Sequence, residues 1–274
     1  MHEWDTDTRV DAVGDGRFTA HLTDRWGGAG GRPNGGYLVG SCLRALGEVL
    51  PHPDPLVVSA HYLRPGVLGP ARVDTEVVRA GRRVSTGEAR LTCRDHEVLR
   101  VVATYGTATG PTYGTAAGPT HVLGKAPDLP PPDECVDAYD GLRLPGATVA
   151  DRVEVRAPEP HGWARGRPSG APDAEFWMRF ADGRPADTAS LATLVDCAAP
   201  AAIELGVVSS ATIELTVQVH ARPAAGWLAA RTATRHLAGS HYVEDLELWD
   251  TTGRLVAQAR QLALRGERPA RAGR

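Results

Sequence analysis

A run of small and apolar residues from Tyr37 to Leu50 is the first strong pattern along the chain. Asn34, Gly35 and Gly36 precede this run and Pro51 ends it, so the pattern predicts a buried helix. Four segments follow in which apolar residues alternate or run together between Gly and Asp turns. These segments predict strands at about 56–64, 70–80, 84–94 and 97–106.

The second half of the chain repeats this order. Asp187 to Leu205 predicts a second helix, with Asp187 as its N-cap and Gly206 just after its end. Pro200 must kink this helix or end it early, because proline lacks a backbone N–H. Strand-like segments then follow at about 211–221, 226–236, 240–250 and 254–265.

Two dipeptides recur at a spacing of 158 positions. Arg64-Pro65 matches Arg222-Pro223, and Ala80-Gly81 matches Ala238-Gly239. A helix followed by four antiparallel strands, found twice, predicts a duplicated α+β unit. The alternative is that the two halves share only the general likeness of any two α+β stretches.

The segment between the two halves is rich in Pro, Gly, Thr and Asp. It contains a tandem octapeptide, Tyr105 to Thr112 followed by Tyr113 to Thr120. Such composition is typical of a flexible surface linker without a core, so replacing about 115–140 should preserve folding. We expect an N-terminal domain over 1–106, a linker over 107–150, a C-terminal domain over 151–266 and a disordered tail over 267–274.

Composition and charge narrow the functional classes. The chain has 274 residues, of which 42% are hydrophobic and 23% charged, and its length allows two separate cores. A net charge of -3 with mixed signs does not indicate a nucleic-acid-binding protein. The start of the chain lacks a signal peptide pattern and no apolar run is long enough to span a membrane, so we expect a cytoplasmic protein.

The cysteines do not indicate a metal site or a disulfide framework. They lack CxxC or Cys/His ligand spacing, and they lie scattered at Cys42, Cys93, Cys135 and Cys197. We therefore expect no metal and no cofactor.

Several motifs together resemble the medium-chain acyl-CoA thioesterase II family. The run from His61 to Gly66, followed by a strand and Arg79-Ala80-Gly81-Arg82, resembles the family's first hotdog domain. Asn34-Gly35-Gly36 is similar to the opening of its first helix, and the run from Gly253 to Ala257, with Gln261, resembles its last strand. The resemblance covers about 20–106 and 160–265. It implies a double hotdog, in which each half wraps a curled antiparallel sheet around a long helix.

The resemblance also implies a set of site residues. The family's catalytic groups are an Asp on the second helix, a Thr or Ser on the next strand and a Gln on the last strand. They correspond here to Asp196, Thr212 and Gln261. Thr216 is an alternative hydroxyl, because four residues along a regular strand it would point to the same face. We also assign substrate binding to Asn34, Gly35, Gly36 and His61.

The residues themselves fit this chemistry. Thioester hydrolysis needs a water, a base and a donor for the developing oxyanion. A carboxylate such as Asp196 within an apolar run is costly to bury, and such groups often have perturbed pKa values and a function. We therefore expect a hydrolase of fatty acid metabolism that acts on acyl-CoA or acyl-carrier-protein thioesters.

Other hypotheses about function and assembly stay open. The chain could be a non-hydrolytic hotdog protein, either a hydratase or dehydratase of acyl thioesters or a degenerate acyl-binding protein. Apart from its thioester substrate we expect no nucleic-acid or membrane partner, and a dimer of double hotdogs is compatible with the pattern. We also expect one active site per chain. The only acidic residue of the first predicted helix is Glu48, near its end, so this helix has no counterpart of Asp196, and the strand over 97–106 holds no Gln.

Overall fold

The computed structural model describes residues 1–108, 121 and 123–266. The first half contains α1 (Glu3–Asp7), β1 (Val10–Gly14), β2 (Arg17–Leu22), α2 (Gly35–Val49), β3 (Asp54–Tyr62), β4 (Gly69–Arg79), β5 (Ser85–Cys93) and β6 (His96–Gly106). The second half contains β7 (Val136–Asp137), β8 (Val153–Ala157), β9 (Asp173–Phe180), α3 (Thr188–Leu194), β10 (Ser210–Val219), β11 (Leu228–Ala238), β12 (His241–Trp249) and β13 (Leu255–Arg265).

All described strands join in one antiparallel sheet. Their order is β1-β2-β4-β5-β6-β3-β10-β13-β12-β11-β9-β8-β7. The halves meet at the centre, where β3 pairs with β10 and His61 lies opposite Glu214. Outward from this junction the order is β3-β6-β5-β4-β2-β1 on one side and β10-β13-β12-β11-β9-β8 on the other, where the short β7 adds one further edge strand. The two sides therefore have the same connectivity, as the predicted duplication requires.

The eight predicted strands are confirmed to within two residues at either end. Strand β5 shows why: its buried residues alternate along the strand, so one face packs on the helices and the other lies outward. We call the face that packs on the helices the inner face of the sheet. The sequence analysis did not predict α1, β1, β2 or β7–β9.

Helix α2 begins where the sequence indicated. Asn34 caps it, because its side-chain oxygen accepts a hydrogen bond from the Tyr37 N–H at 3.1 Å. Most of its side chains are buried against the inner face and against α3. The predicted helix from Tyr37 to Leu50 is thus confirmed, with two further residues at its start and one fewer at its end.

The second helix is much shorter than predicted. Asp187 caps α3 as expected, in a capping box with Ser190. The chain leaves the helix after Leu194, however, and Pro200 precedes a separate 3-10 helix over Ala201–Leu205. The early end predicted from Pro200 is confirmed, although α3 already ends at Leu194, well before the proline. One consequence is that Asp196 lies in the turn after α3 rather than within a helix.

The predicted flexible linker is wrong for the described residues 124–150. Tyr139 and Val149 are buried in the main core, Cys135 is buried nearby, and β7 pairs with β8. The Trp177 indole N–H donates to the Pro130 carbonyl at 2.8 Å. Composition misled the prediction because one tyrosine and a few small apolar residues suffice to anchor a proline-rich segment. Replacing 115–140 would remove these contacts and should destabilise the protein.

Residues 109–120 and 122 of the predicted linker are not described. Most of the tandem octapeptide lies outside the described residues, and so does the predicted tail over 267–274.

Helices α2 and α3 pack closely against each other. A Cβ on Gly36 would lie 2.6 Å from the Thr193 carbonyl oxygen, a distance that only glycine allows. The Thr193 hydroxyl in turn donates to the Gly36 carbonyl at 2.8 Å. This close approach places the first turn of α2 beside the end of α3.

At the other end of the helix pair, a buried ion pair joins the two halves. The Arg222 guanidinium donates to both carboxylate oxygens of Asp54, at 2.8 to 3.1 Å. Asp54 also accepts hydrogen bonds from the Thr188 hydroxyl and the Ala108 N–H, each at 2.9 Å. Its carboxylate is almost fully buried and lies between β3, α3 and the chain after β10.

Replacing Arg222 with Met should lower the free energy of unfolding by roughly 2–4 kcal/mol, because Asp54 would remain buried without its counter-ion. Arg260→Met is the matched control, since the ion pair of Arg260 with Asp245 is exposed and should contribute less than about 1 kcal/mol. Urea denaturation of the three proteins measures the difference. Equal losses in both variants would contradict a structural role for the Asp54–Arg222 pair.

Candidate active site

The Asp196 carboxylate lies at the first turn of α2, on the opposite half of the molecule. Its Oδ2 accepts a hydrogen bond from the Gly36 N–H at 2.7 Å and from the Asn34 side-chain amide at 3.1 Å. Asn34 also donates to the Asp196 carbonyl oxygen at 2.9 Å. The start of a helix favours an anion, because its backbone N–H groups lack partners within the helix. Asn34 and Gly36, which we assigned to substrate binding, thus both donate to Asp196.

Burial raises the pKa of Asp196 from 3.8 to about 6, although the hydrogen bonds from Gly36 and Asn34 oppose the rise. The residue keeps part of its surface accessible. A carboxyl group with this pKa is ionised at neutral pH, yet it holds a proton far more readily than an exposed aspartate. This combination suits a general base.

A β-bulge determines which threonine faces the site. Thr212 lies opposite Ala263 on β13 and Thr216 lies opposite Arg260, so Ile213 is one residue in excess. Residues paired across a ladder share a face, and Ala263 and Arg260 are three apart, so they point to opposite faces. The prediction that Thr212 and Thr216 share a face is therefore wrong. The bulge reverses the alternation between them.

Thr212 is the threonine on the inner face. Its hydroxyl donates to the side-chain oxygen of Gln261 at 3.1 Å. The Thr216 hydroxyl instead donates to Glu214 on the outer face, which also accepts from Ser59 at 3.2 Å. The structure thus brings Thr212 and Gln261 together and separates Thr216 from them.

Glu244 is a site residue that the sequence analysis missed. It lies opposite Gln261 on β12 and accepts a hydrogen bond from the Gln261 amide nitrogen at 3.4 Å. When Glu244 is ionised it can only accept, so this contact then directs the Gln261 oxygen towards the Thr212 hydroxyl. The Thr212 oxygen therefore keeps its lone pairs free to accept. The sequence carried a signal for the burial of Glu244, because Glu244 lies two residues before Leu246 on the buried face of the strand.

Glu244 is itself deeply buried. It accepts from the Ala201 N–H at 2.7 Å and from the Thr234 hydroxyl at 3.1 Å. Burial raises its pKa from 4.5 to about 7, against the lowering effect of these hydrogen bonds. Burial, with the charges of Glu244 and Asp196, raises the pKa of Tyr242 to about 12. The Thr212–Gln261–Glu244 chain and Asp196 therefore belong to one electrostatic environment.

The other predicted binding residues divide into two groups. Gly35 lies against the site, because a Cβ added to it would come within 2.9 Å of the Asp196 Oδ2 and 2.8 Å of the Tyr62 hydroxyl. His61 is exposed, whereas its neighbours Ala60 and Tyr62 point inward. Alternation along β3 thus turns His61 away from the site, and its assignment to substrate binding is not supported by its position.

The remaining chemistry-bearing groups do not form a second centre. Across the described ranges, no cluster of three or more His, Cys, Asp or Glu side chains could hold a metal ion. All four cysteines are buried and unlinked. A surface cavity lined by 79–84 lies near the end of α2, beside His52, and so at the far end of the helix from Asp196. No helix in the described part of the chain is both long and apolar enough to cross a membrane.

Known protein families match both halves of the chain. The acyl-CoA thioesterase N-terminal domain matches residues 22–106, and the acyl-CoA thioesterase C-terminal domain matches residues 132–265. The second match begins just before β7, within the segment that we predicted to be linker.

Solved structures of similar proteins have the same fold. A candidate thioesterase II from Thermobifida fusca has a TM-score of 0.84 and 29% identity, and the match covers 97% of this chain and 98% of that one. A protein of unknown function with a hot dog fold, from Alicyclobacillus acidocaldarius, has a TM-score of 0.80 and 21% identity, with 98% and 100% covered. An acyl-CoA thioesterase II from Mycobacterium marinum has a TM-score of 0.74 and 18% identity, with 97% and 99% covered.

A curated relative extends the comparison. An uncharacterized protein of Mycobacterium tuberculosis is 28% identical over 279 residues, which cover 90% of each chain. The matched domains span both halves of the sheet, and the structural likeness extends over nearly the whole chain. The chain therefore has a hotdog fold and belongs to the acyl-CoA thioesterase family.

Proposed function

We propose that this protein is a double hotdog that hydrolyses acyl-CoA thioesters at one site, between Asp196 and the Thr212–Gln261 pair. The observation that carries the proposal is the Asp196 carboxylate, held at the start of α2 with a pKa of about 6. The family match supports acyl-CoA as the substrate class. An acyl-carrier-protein thioester presents the same reacting group to the same residues.

In the proposed reaction, water is the nucleophile. Asp196 accepts a proton from the water as its oxygen bonds to the carbonyl carbon, and the carbonyl electron pair moves onto oxygen. Thr212 accepts the second hydrogen of that water, because its own proton is directed at Gln261. The tetrahedral intermediate then collapses, the C–S bond breaks, and the departing thiolate takes the proton from Asp196. The products are a carboxylic acid and a free thiol.

The position in the first half that corresponds to the Thr212–Gln261 pair lacks side chains that could bind the water. Strands β3 and β10 carry the same bulge, 157 positions apart, so Pro55 is the counterpart of Thr212. The counterpart of Gln261, at the spacing of 158, is Ala103. Neither residue offers a side-chain hydrogen bond to a water. We therefore assign one site to each chain, with catalytic groups from the second half.

The non-hydrolytic alternatives have less support. A degenerate acyl-binding protein would not need a carboxylate in a costly buried position. Asp196 is fixed there by two donors from the other half, and Glu244 fixes the orientation of the Gln261 amide. A hydratase or dehydratase would act on the acyl chain without releasing thiol, so a thiol-release assay separates the two classes.

Asp196→Asn should lower the kcat for thiol release by roughly a hundredfold or more, because the amide cannot accept the proton. In the wild type, kcat should fall about tenfold per pH unit below pH 6, where Asp196 becomes protonated. Because burial raises the pKa of Asp196, its ionisation costs stability at neutral pH, so the Asn variant should be at least as stable at pH 8.

Thiol release across acyl-CoA chain lengths measures these effects. Asp245→Asn, on the outer face of β12, is the control and should keep both kcat and the pH profile. A folded Asp196→Asn protein with wild-type turnover would show that another group acts as the base.

Thr212→Val should lower kcat by roughly tenfold or more, because valine keeps the shape of threonine but cannot accept from the water. Thr216→Val is the matched control, and it should stay within about twofold of the wild type because its hydroxyl lies on the outer face. Steady-state thiol release measures both. Loss of activity in Thr216→Val alone would reverse the assignment.

A further inference from the structure

The Tyr62 hydroxyl is a buried polar group without a hydrogen-bond partner in the described part of the chain. Tyr62 is the last residue of β3 and points to the inner face, beside the start of α2. An unsatisfied buried hydroxyl costs stability, since it loses its bonds to water and gains none in the protein. Such a group therefore calls for an explanation, and its surroundings provide one.

Gly35 locates this hydroxyl relative to Asp196. A Cβ on Gly35 would lie 2.8 Å from the Tyr62 hydroxyl oxygen and 2.9 Å from the Asp196 Oδ2. The distance between the Tyr62 hydroxyl oxygen and the Asp196 Oδ2 therefore cannot exceed the sum of 2.8 Å and 2.9 Å. The Tyr62 hydroxyl and the Asp196 carboxylate therefore lie beside the same residue of the helix start, close enough for one bound thioester to reach both.

Three other donors near Asp196 already have acceptors. The Gly36 N–H and the Asn34 amide both donate to the carboxylate, and the Tyr37 N–H donates to Asn34. These donors hold the base in place. The Tyr62 hydroxyl also lies beside Asp196, but its proton has no acceptor among the described residues.

We propose that the Tyr62 hydroxyl donates the hydrogen bond that stabilises the oxyanion formed when water attacks the thioester carbonyl. This inference rests on the proposed thioester hydrolysis and adds the donor which that reaction needs. The negative charge appears on the carbonyl oxygen as Asp196 becomes neutral by taking the proton from water. The oxyanion and an ionised carboxylate therefore do not face each other in the transition state.

The surroundings keep Tyr62 in its donor form. Burial holds its pKa well above the ordinary value of 10, and the charge of Asp196 raises it further. The phenol therefore remains protonated over pH 5–9. It acts as a neutral donor and takes no part in the transfer of the water proton.

Tyr62→Phe tests the inference, because it removes one oxygen and keeps the ring. Loss of a single oxyanion donor should lower kcat by roughly a hundredfold with little change in KM. The variant should unfold at the same or a higher temperature, since an unpaired buried hydroxyl is lost. Tyr105→Phe is the control: its buried hydroxyl donates to the Leu43 carbonyl at 2.8 Å, so that variant should lose stability and keep kcat.

Thiol release over pH 5–9 and thermal unfolding, on the full chain, give the readouts. A kcat within twofold of the wild type would overturn the inference. A change confined to KM would also overturn it, since Tyr62 would then only line the pocket. A pH profile of kcat that shifts at its acidic side but keeps the same maximum would overturn it as well. Tyr62 would then act only on the pKa of Asp196. The proposed hydrolysis fails separately, if Asp196→Asn stays active.

Discussion

The hydrogen bond from the Gly36 N–H to the Asp196 carboxylate joins the two halves at the point where the chemistry is proposed. It exists only because α2 and α3 come close together, and that approach requires a bare glycine at position 36. The first half thus supplies a helix start, and the second half supplies the charge that a helix start favours. Neither half contains this arrangement alone.

The same duplication has two different outcomes at the two ends of the helix pair. At one end, burial raises the pKa of Asp196, so its ionisation costs stability. At the other end, Asp54 and Arg222 form a buried ion pair between the halves. In the proposed mechanism, one end of the helix pair stabilises the fold and the other accepts unfavourable burial for catalysis. The unpaired Tyr62 hydroxyl follows the same pattern.

The sequence was sufficient for the central architecture because periodicity and turn residues act locally. The capped start of α2 and the eight strands after the helices were predictable for this reason. The anchored segment over 124–150 was not, since burial of Tyr139 depends on a pocket made by distant strands. Strands β1 and β2 were also missed, and their burial patterns alternate only weakly.

For the candidate site, the family resemblance pointed to Asp196 and Gln261, and the sheet register shows that Thr212 rather than Thr216 lies beside Gln261. A single extra residue at Ile213 reverses the faces, and no periodicity argument detects a bulge without the pairing partner. The inward orientation of Glu244 and Tyr62 could have been predicted, since each lies at alternate positions with buried apolar residues of its strand. Their roles depend on which side chains lie opposite, and that requires the register of the sheet.

The central claim is that two halves of one chain build one site and not two. Isothermal titration with a non-hydrolysable thioether analogue of an acyl-CoA measures the number of sites directly. The account predicts one equivalent bound per chain, because Pro55 and Ala103 replace the site's threonine and glutamine at the pseudo-equivalent position. Two equivalents bound per chain with similar affinity would contradict it.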